Sequence, residues 1–341
     1  MMKSLRACAH CLAWPVGGAV SRRAALALVA AIGTAAAFAA TDARAAPLEL
    51  VATTPMIGDA VAAIAGRDAE VEVLIGQGVD PHLFKATRAD VAKLLQADAV
   101  FYNGLFLEGK LVDALERVSG AGRPVFAVAE DLPEDLLLSP EGYEGSYDPH
   151  VWMDPSIWTQ VVGTIGARLA ELMPEDDTVI AERTAAYQRT LADLDAYAET
   201  SLAKLPPERR VLITAHDAFS YFGRRYGFEV VGIQGISTDS EAGLARIEEL
   251  VDRLAVEEIP AVFTESSVSD RAVRALVAGA AARGHEVAVG GTLYSDSMGA
   301  PGTYEGTYQG MIDHNMTTIA RALGADVPSG GLVGKLAAAN Q

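Results

Sequence analysis

The chain has 341 residues, 27 Lys and Arg against 45 Asp and Glu, a net charge of −18, two cysteines and six histidines. That negative field repels nucleic acid and anionic lipid, attracts cations, and excludes a basic polyanion-binding protein. Both cysteines, Cys8 and Cys11, stand near the N-terminus, so the remainder has no disulfide, thiolate ligand or cysteine nucleophile.

Residues 1–45 read as an export signal. Lys3, Arg6, Arg22 and Arg23 form a basic leader, Ala24 to Ala40 is an uncharged run of 17 residues, and Ala43-Arg44-Ala45 fits a small-residue cleavage site. The run is short for a membrane span, which needs about 20 residues. "SRRAAL" fits a twin-arginine signal, with ordinary Sec export as the other route. Cleavage removes five basic residues and one acidic one, leaving 22 Lys and Arg against 44 Asp and Glu, a net charge of −22. No cysteine stands at the cleavage point to carry a lipid, so a periplasmic protein without a lipid anchor is expected. About 296 residues suffice for two lobes, each with its own core.

From residue 46, short β-branched runs alternate with amphipathic stretches. "LELVAT", "EVEVLI" and "DAVFYNG" predict strands; "MIGDAVAAIAG" and "TRADVAKLLQA" predict helices, the second opened by Thr87 with Asp90 three residues later. Between Pro174 and Pro206 no Gly or Pro intervenes, and Tyr187, Leu191, Leu194, Ala198 and Leu202 recur at helical spacing. One long helix is predicted there, a strut between lobes. Alternation then resumes, with strands at "VLIT", "EVVGI", "AVFTES" and "HEVAVGG" and helices at "AFSYFGRRYG", "SEAGLARIEELVDRLAVEE", "DRAVRALVAGAAARG" and "YQGMIDHNMTTIARALG". The fold class is α/β with mostly parallel sheets. The boundaries expected are a lobe at 46–173, a linking helix at 174–206 and a lobe at 207–341.

The tripeptide Asp-Pro-His occurs twice, at 80–82 and 148–150. Proline fixes its own φ and pushes the residue before it out of helical geometry, so each copy presents a histidine from a stiff bend. In open α/β sheets, ligands bind beyond the C-terminal ends of strands. His82 follows "EVEVLI" through a short loop, His216 follows "VLIT", and Asp296 follows "HEVAVGG". With His150 they make four donors suited to a metal, but no short spacing signature binds them, and spacing alone leaves the metal reading open. His285 and His314 read as structural or exposed.

"GVDPHLFKATRADVAKLLQADAVFYNG", "DPHVWMDP", "TAHDAFSYFGRRYGFEVVGIQGISTDSEA", "FTESS" and "GGTLYSDSMG" followed by "GTYEGTYQGMIDHN" resemble the signature segments of the TroA-like zinc- and manganese-binding proteins that feed ABC importers. The likeness runs in order from about Leu48 to Leu323. It implies two lobes joined by one long rigid helix, with the metal in the cleft between them, held by His82, His150, His216 and Asp296. It also implies an importer permease and its ATPase as partners, with a monomeric carrier and no enzymatic activity. Relatives regarded as manganese- or iron-selective usually have glutamate where this chain has His216. The chain also lacks the His-rich acidic insertion of many dedicated zinc scavengers.

Three neutral imidazoles and one carboxylate suit Zn2+, with Mn2+ as the alternative should the aspartate bind through both oxygens. Glu265 is expected to orient one imidazole from the end of its strand, with Asp217, Asp154 and Glu241 as further candidates. For Asp154 the competing role is an N-cap ahead of Pro155. An exported zinc hydrolase using the three histidines is the runner-up, but four protein donors leave no open position for water. Metal affinity is expected to fall below about pH 6, where free imidazole protonates.

Overall fold

The computed structural model describes residues 46–139 and 145–337. The export signal expected at 1–45 lies outside them. The first sheet is all parallel, in the order β2-β1-β3-β4, with β1 (Leu48–Ala52), β2 (Ala69–Val73), β3 (Ala99–Tyr102) and β4 (Val125–Ala127). Central β1 and β3 are mostly apolar, with Leu50, Val51 and Ala52 of β1 and Ala99, Val100 and Phe101 of β3 buried, because helices cover both faces of a parallel sheet. α1 (Pro55–Ala65) begins at a proline, whose fixed φ suits the first helical turn, and buries Met56, Ile57, Ala60, Val61 and Ile64. α2 (Arg88–Gln96) opens with the predicted capping box between Thr87 and Asp90. α3 (Val112–Gly120) and β4, which the sequence reading passed over, complete this layer.

α4 (Pro155–Leu172) and α5 (Asp177–Leu202) pack side by side, joined through a short turn at Pro174–Asp176. They touch closely at Gly166, where a Cβ would overlap the Thr184 hydroxyl. α5 is the predicted strut. Its 26 residues span about 39 Å at 1.5 Å per residue. It is shorter than the Pro-to-Pro interval because Pro174 opens a 3-10 turn and the chain turns again from Ala203 to Leu205. Leu191, Leu194, Ala198 and Leu202 are buried as their spacing predicts, while half-buried Tyr187 donates its hydroxyl to Asp59 Oδ2 at 2.6 Å.

The second lobe holds two parallel pairs, β5 (Val211–Thr214) with β6 (Glu229–Gly232) and β7 (Ala261–Glu265) with β8 (Ala288–Leu293), β5 running beside β7. Their helices are α6 (Ser220–Tyr226), α7 (Leu244–Val256), α8 (Arg271–Ala282) and α9 (Tyr308–Ala322). α7 starts later than predicted because Gly243 is extended at its N-cap. β8 also starts late, since the chain turns at Gly284 (φ +84°) and His285 caps the Ile259 carbonyl instead of entering the strand.

One continuous apolar core runs through both lobes, including Leu50 and Phe101 of the first sheet, Leu194 of α5, and Phe263, Met311 and Met316 of the second lobe. Trp158 of α4 stacks on Tyr308 of α9 at 5.5 Å. Pro47–Gln341 accordingly forms one compact unit. Among the described residues no helix is long and apolar enough to cross a membrane.

Leu194 is fully buried where α5 meets this shared core. Leu194→Ala should cost about 2–5 kcal/mol. A urea titration should show a single transition for both lobes at a lower midpoint; two separated transitions would show that the core does not couple them.

Candidate metal centre

All four predicted donors meet. One atom from each of His82, His150, His216 and Asp296 lies within 4.8 Å of the others, and all four residues are buried. His216 stands directly beyond β5 and Asp296 just beyond β8, while His82 lies in the loop after β2. His150 precedes the one-turn helix Val151–Met153.

Each histidine turns its Nε2 inward. His150 Nε2 lies 3.3 Å from Asp296 Oδ1, His216 Nε2 lies 3.2 Å from Asp296 Oδ2, and the Nε2 atoms of His82 and His150 are 3.3 Å apart. Yet neither Asp296 oxygen, nor His216 Nε2, has a hydrogen-bond partner of acceptable geometry. Buried polar atoms without partners are costly, and here they face a common centre.

The repeated tripeptide performs the same backbone task twice. Asp80 Oδ1 accepts the His82 amide at 2.8 Å and Asp148 Oδ1 accepts the His150 amide at 3.0 Å, a local turn that fixes each histidine's direction. The two aspartates then diverge. Asp148 also takes His150 Nδ1 at 2.7 Å, whereas Asp80 reaches across the cleft to accept the Thr238 hydroxyl at 2.5 Å.

Glu265, the last residue of β7, accepts both the His216 amide at 2.8 Å and its Nδ1 at 2.5 Å, the orienting role expected of it. The other three candidates do something else. Asp154 caps α4 by accepting the Ser156 amide and hydroxyl. Asp217 accepts the Ser220 hydroxyl next to α6. Glu241 is exposed, with Arg271 as its ionic neighbour at 3.9 Å. Sequence reasoning passed over Asp148, although it stands two residues before His150 in the very tripeptide singled out. His285 and His314 cap the carbonyls of Ile259 and Thr292, away from the cluster.

The three imidazoles are electrostatically unequal. Burial drives the His82 pKa down to about 3, with Asp296 opposing it. For His150 burial also pulls downward, but Asp148 and Asp296 outweigh it and hold the ring at about 9. Glu265 and Asp296 likewise raise His216 against its burial. Asp296 is buried too, but the two imidazoles hold its carboxyl well below the usual range. The carboxylates around His150 and His216 thus favour the protonated rings, against which a cation must compete.

The two sides of the cleft close differently. Around His150, Trp152 donates to the Ser295 carbonyl at 2.9 Å, Tyr221 to the Asp148 carbonyl at 2.8 Å and Tyr308 to the Trp152 carbonyl at 2.7 Å, all buried. Around His82, the bridges are Asp80 with Thr238, the Gly78 amide with Ser297 Oγ at 2.7 Å, and an exposed Lys110–Asp239 pair at 2.7 Å.

Two lobes of parallel α/β structure whose loops beyond the strands converge on a buried, nitrogen-rich donor set define a solute-binding protein that takes a metal ion as its solute. A profile of the periplasmic zinc-uptake complex component A, ZnuA, matches residues 50–322. The chain belongs to that family. It is 47% identical over 276 residues to the manganese-binding lipoprotein MntA of Bacillus subtilis, covering 81% of this chain and 90% of the relative. It is 48% identical over 288 residues to the zinc-binding protein TroA of Treponema pallidum, covering 84% and 92%. The solved structure of the T. pallidum periplasmic zinc-binding protein superposes with a TM-score of 0.79, over 81% of this chain and 99% of that one. Fe(III)-bound YtgA of Chlamydia trachomatis, 26% identical, superposes with a TM-score of 0.74 over 82% and 99%.

Removing the acceptor behind an imidazole while keeping its shape should loosen the ring. Asp148→Asn and Glu265→Gln should each weaken zinc affinity by about 10–100-fold in a competition titration against a chromophoric chelator. Unchanged affinity in both would show that the carboxylates are ordinary packing.

Proposed function

We propose that this protein captures one divalent ion in the cleft, using His82, His150, His216 and Asp296 as its ligands, and passes it to the permease and ATPase of an ABC importer. One observation carries the reading: a fully buried carboxylate whose two oxygens lack hydrogen-bond partners and face three converging imidazole nitrogens. A cation satisfies all of these atoms together. Four protein donors around one ion leave no coordination position for an activated water, so the chemistry is retention and release rather than hydrolysis.

Zinc is the proposed cargo, with manganese the alternative. An N3O set with one carboxylate is compact and borderline-soft, and at equal availability Mn2+ lies far below Zn2+ on such ligands. Named relatives of nearly equal identity include a manganese-binding and a zinc-binding protein, so the preference rests on the donor set. The protein acts outside the cytoplasmic membrane, in keeping with its family. We further propose that it has no lipid anchor, since Cys8 and Cys11 both precede the apolar run from Ala24 to Ala40, and that it works as a monomer. The lobes at 46–173 and 207–341, with the connecting segment 174–206, are proposed to move little relative to one another because they share one core.

His82→Ala, His150→Ala, His216→Ala and Asp296→Ala should each lose most bound metal by elemental analysis of protein purified without added ions, while His285→Ala and His314→Ala keep it. Equal metal content in all six would refute the ligand set. Because neighbouring carboxylates favour protonated His150 and His216, metal uptake should release protons. Zinc affinity should then rise with pH through the range from about 6 to 8, which calorimetry in buffers of different ionisation enthalpy would detect. A flat affinity across that range would rule out protonated imidazoles in the metal-free site.

A further inference from the structure

The turn after β3 is unusual. Gly104, Leu105 and Phe106 have φ of +82°, +53° and +63°, three consecutive residues in the left-handed region, and Leu105 and Phe106 pay the steric penalty of a Cβ there. Phe106 is 75% exposed, so no apolar burial repays its conformation. Strain of this kind persists where the surroundings over-determine it, and it clusters at functional sites.

The over-determining group is Glu108, only 2% exposed. Its Oε1 accepts the Thr53 hydroxyl at 2.6 Å and the Asn103 amide at 2.8 Å, and its Oε2 accepts the Gly104 amide at 3.2 Å. The left-handed turn folds the chain back so that this carboxylate reaches the amides behind it, tying the ends of β1 and β3 together. The Asn103 side chain, 1% exposed, is left to bridge two carbonyls. Its Nδ2 donates to the Gly104 carbonyl and, at 3.1 Å, to the carbonyl of Pro149, 46 residues on.

Pro149 has no N–H and a fixed φ, so its carbonyl is the handle on the peptide plane leading into His150. Asp148 holds the His150 ring and amide from one side. Asn103 holds the peptide before it from the other. We propose that Glu108 and Asn103 are positioning residues for metal capture: Glu108 clamps the strained turn so that Asn103 fixes the Pro149 carbonyl and, through it, the direction of His150 Nε2. This inference rests on the proposed metal-binding function.

The test uses Co2+, whose visible bands report ligand geometry, on the full protein. Glu108→Gln keeps the shape but turns an acceptor into a donor; Asn103→Ser is small, neutral and too short to reach Pro149. Both should bind Co2+ about ten-fold or more weakly, with shifted and broadened bands. Leu194→Ala, destabilised through the shared core and absent from the hydrogen bonds that hold the ligands, should keep wild-type bands and affinity, which separates positioning from general loss of stability. Wild-type bands and affinity in Asn103→Ser would overturn the proposal even should Glu108→Gln fail to fold, and so would altered bands in Leu194→Ala equal to those of Asn103→Ser. Should the wild-type protein itself bind no Co2+ or Zn2+, the function falls first and the positioning role with it.

Discussion

The structure is organised around one unfavourable arrangement, a carboxylate and three imidazoles drawn into a region from which water is excluded. An isolated buried carboxylate is costly to desolvate, and Asp296 is 1% exposed with no hydrogen bond to either oxygen. The carboxylates around His150 and His216 favour protonated rings in the metal-free protein, which offsets part of that cost because both rings lie 3.2–3.3 Å from the Asp296 oxygens. A divalent ion replaces the protons and satisfies every inward-facing atom. The rest of the fold holds the four groups close enough for the exchange to be favourable.

Support for the ligands is uneven, and the unevenness follows from topology. His216 leaves β5 directly and meets Glu265 at the end of neighbouring β7, so two strand ends fix ring and amide together. His150 lies in an irregular segment, where no strand can orient it; Asp148, Asn103 and the surrounding aromatic hydroxyls and indole do so instead. His82 has no strand end behind it and, among the described residues, no carboxylate hydrogen-bonded to its ring, and Asp80 orients only its backbone. At 6% exposure it is also the most accessible of the four.

Much of this was legible in the sequence because the signals were local. Thr87 with Asp90 gave a capping box, Pro155 marked a helix start, and the spacing of Leu191, Leu194, Ala198 and Leu202 gave the buried stripe of α5. The four donors stood after predicted strands or behind stiff Asp-Pro turns, and the family resemblance selected them from other loop residues. Partnerships made across the fold were less legible. Asp154 and Asp217 are near ligands along the chain, but their carboxylates are spent on the amide or hydroxyl of a nearby serine. Glu265, 49 residues from His216, became predictable only through its position at a strand end. Asp148 was missed because Asp80 occupies the identical tripeptide and touches no imidazole nitrogen, so the motif alone does not specify what its carboxylate does.

The shared core constrains how the cleft can loosen. Opening the His150 side means exposing Trp152 and Tyr308, both at most 1% exposed, and breaking three buried hydrogen bonds. Burial of a single large side chain is worth about 1.5–3 kcal/mol, so that side resists separation. The His82 side is held by the Asp80–Thr238 and Gly78–Ser297 contacts and by a surface ion pair, and exposed pairs contribute about 0–1 kcal/mol. Water can replace those polar contacts as they part, whereas nothing replaces the aromatic packing. Local displacement of the segment from Gly76 to His82 therefore costs less than rotation of one lobe against the other. Because that segment carries the ligand with the least support, the weakest closure and the weakest ligand lie on the same side of the cleft.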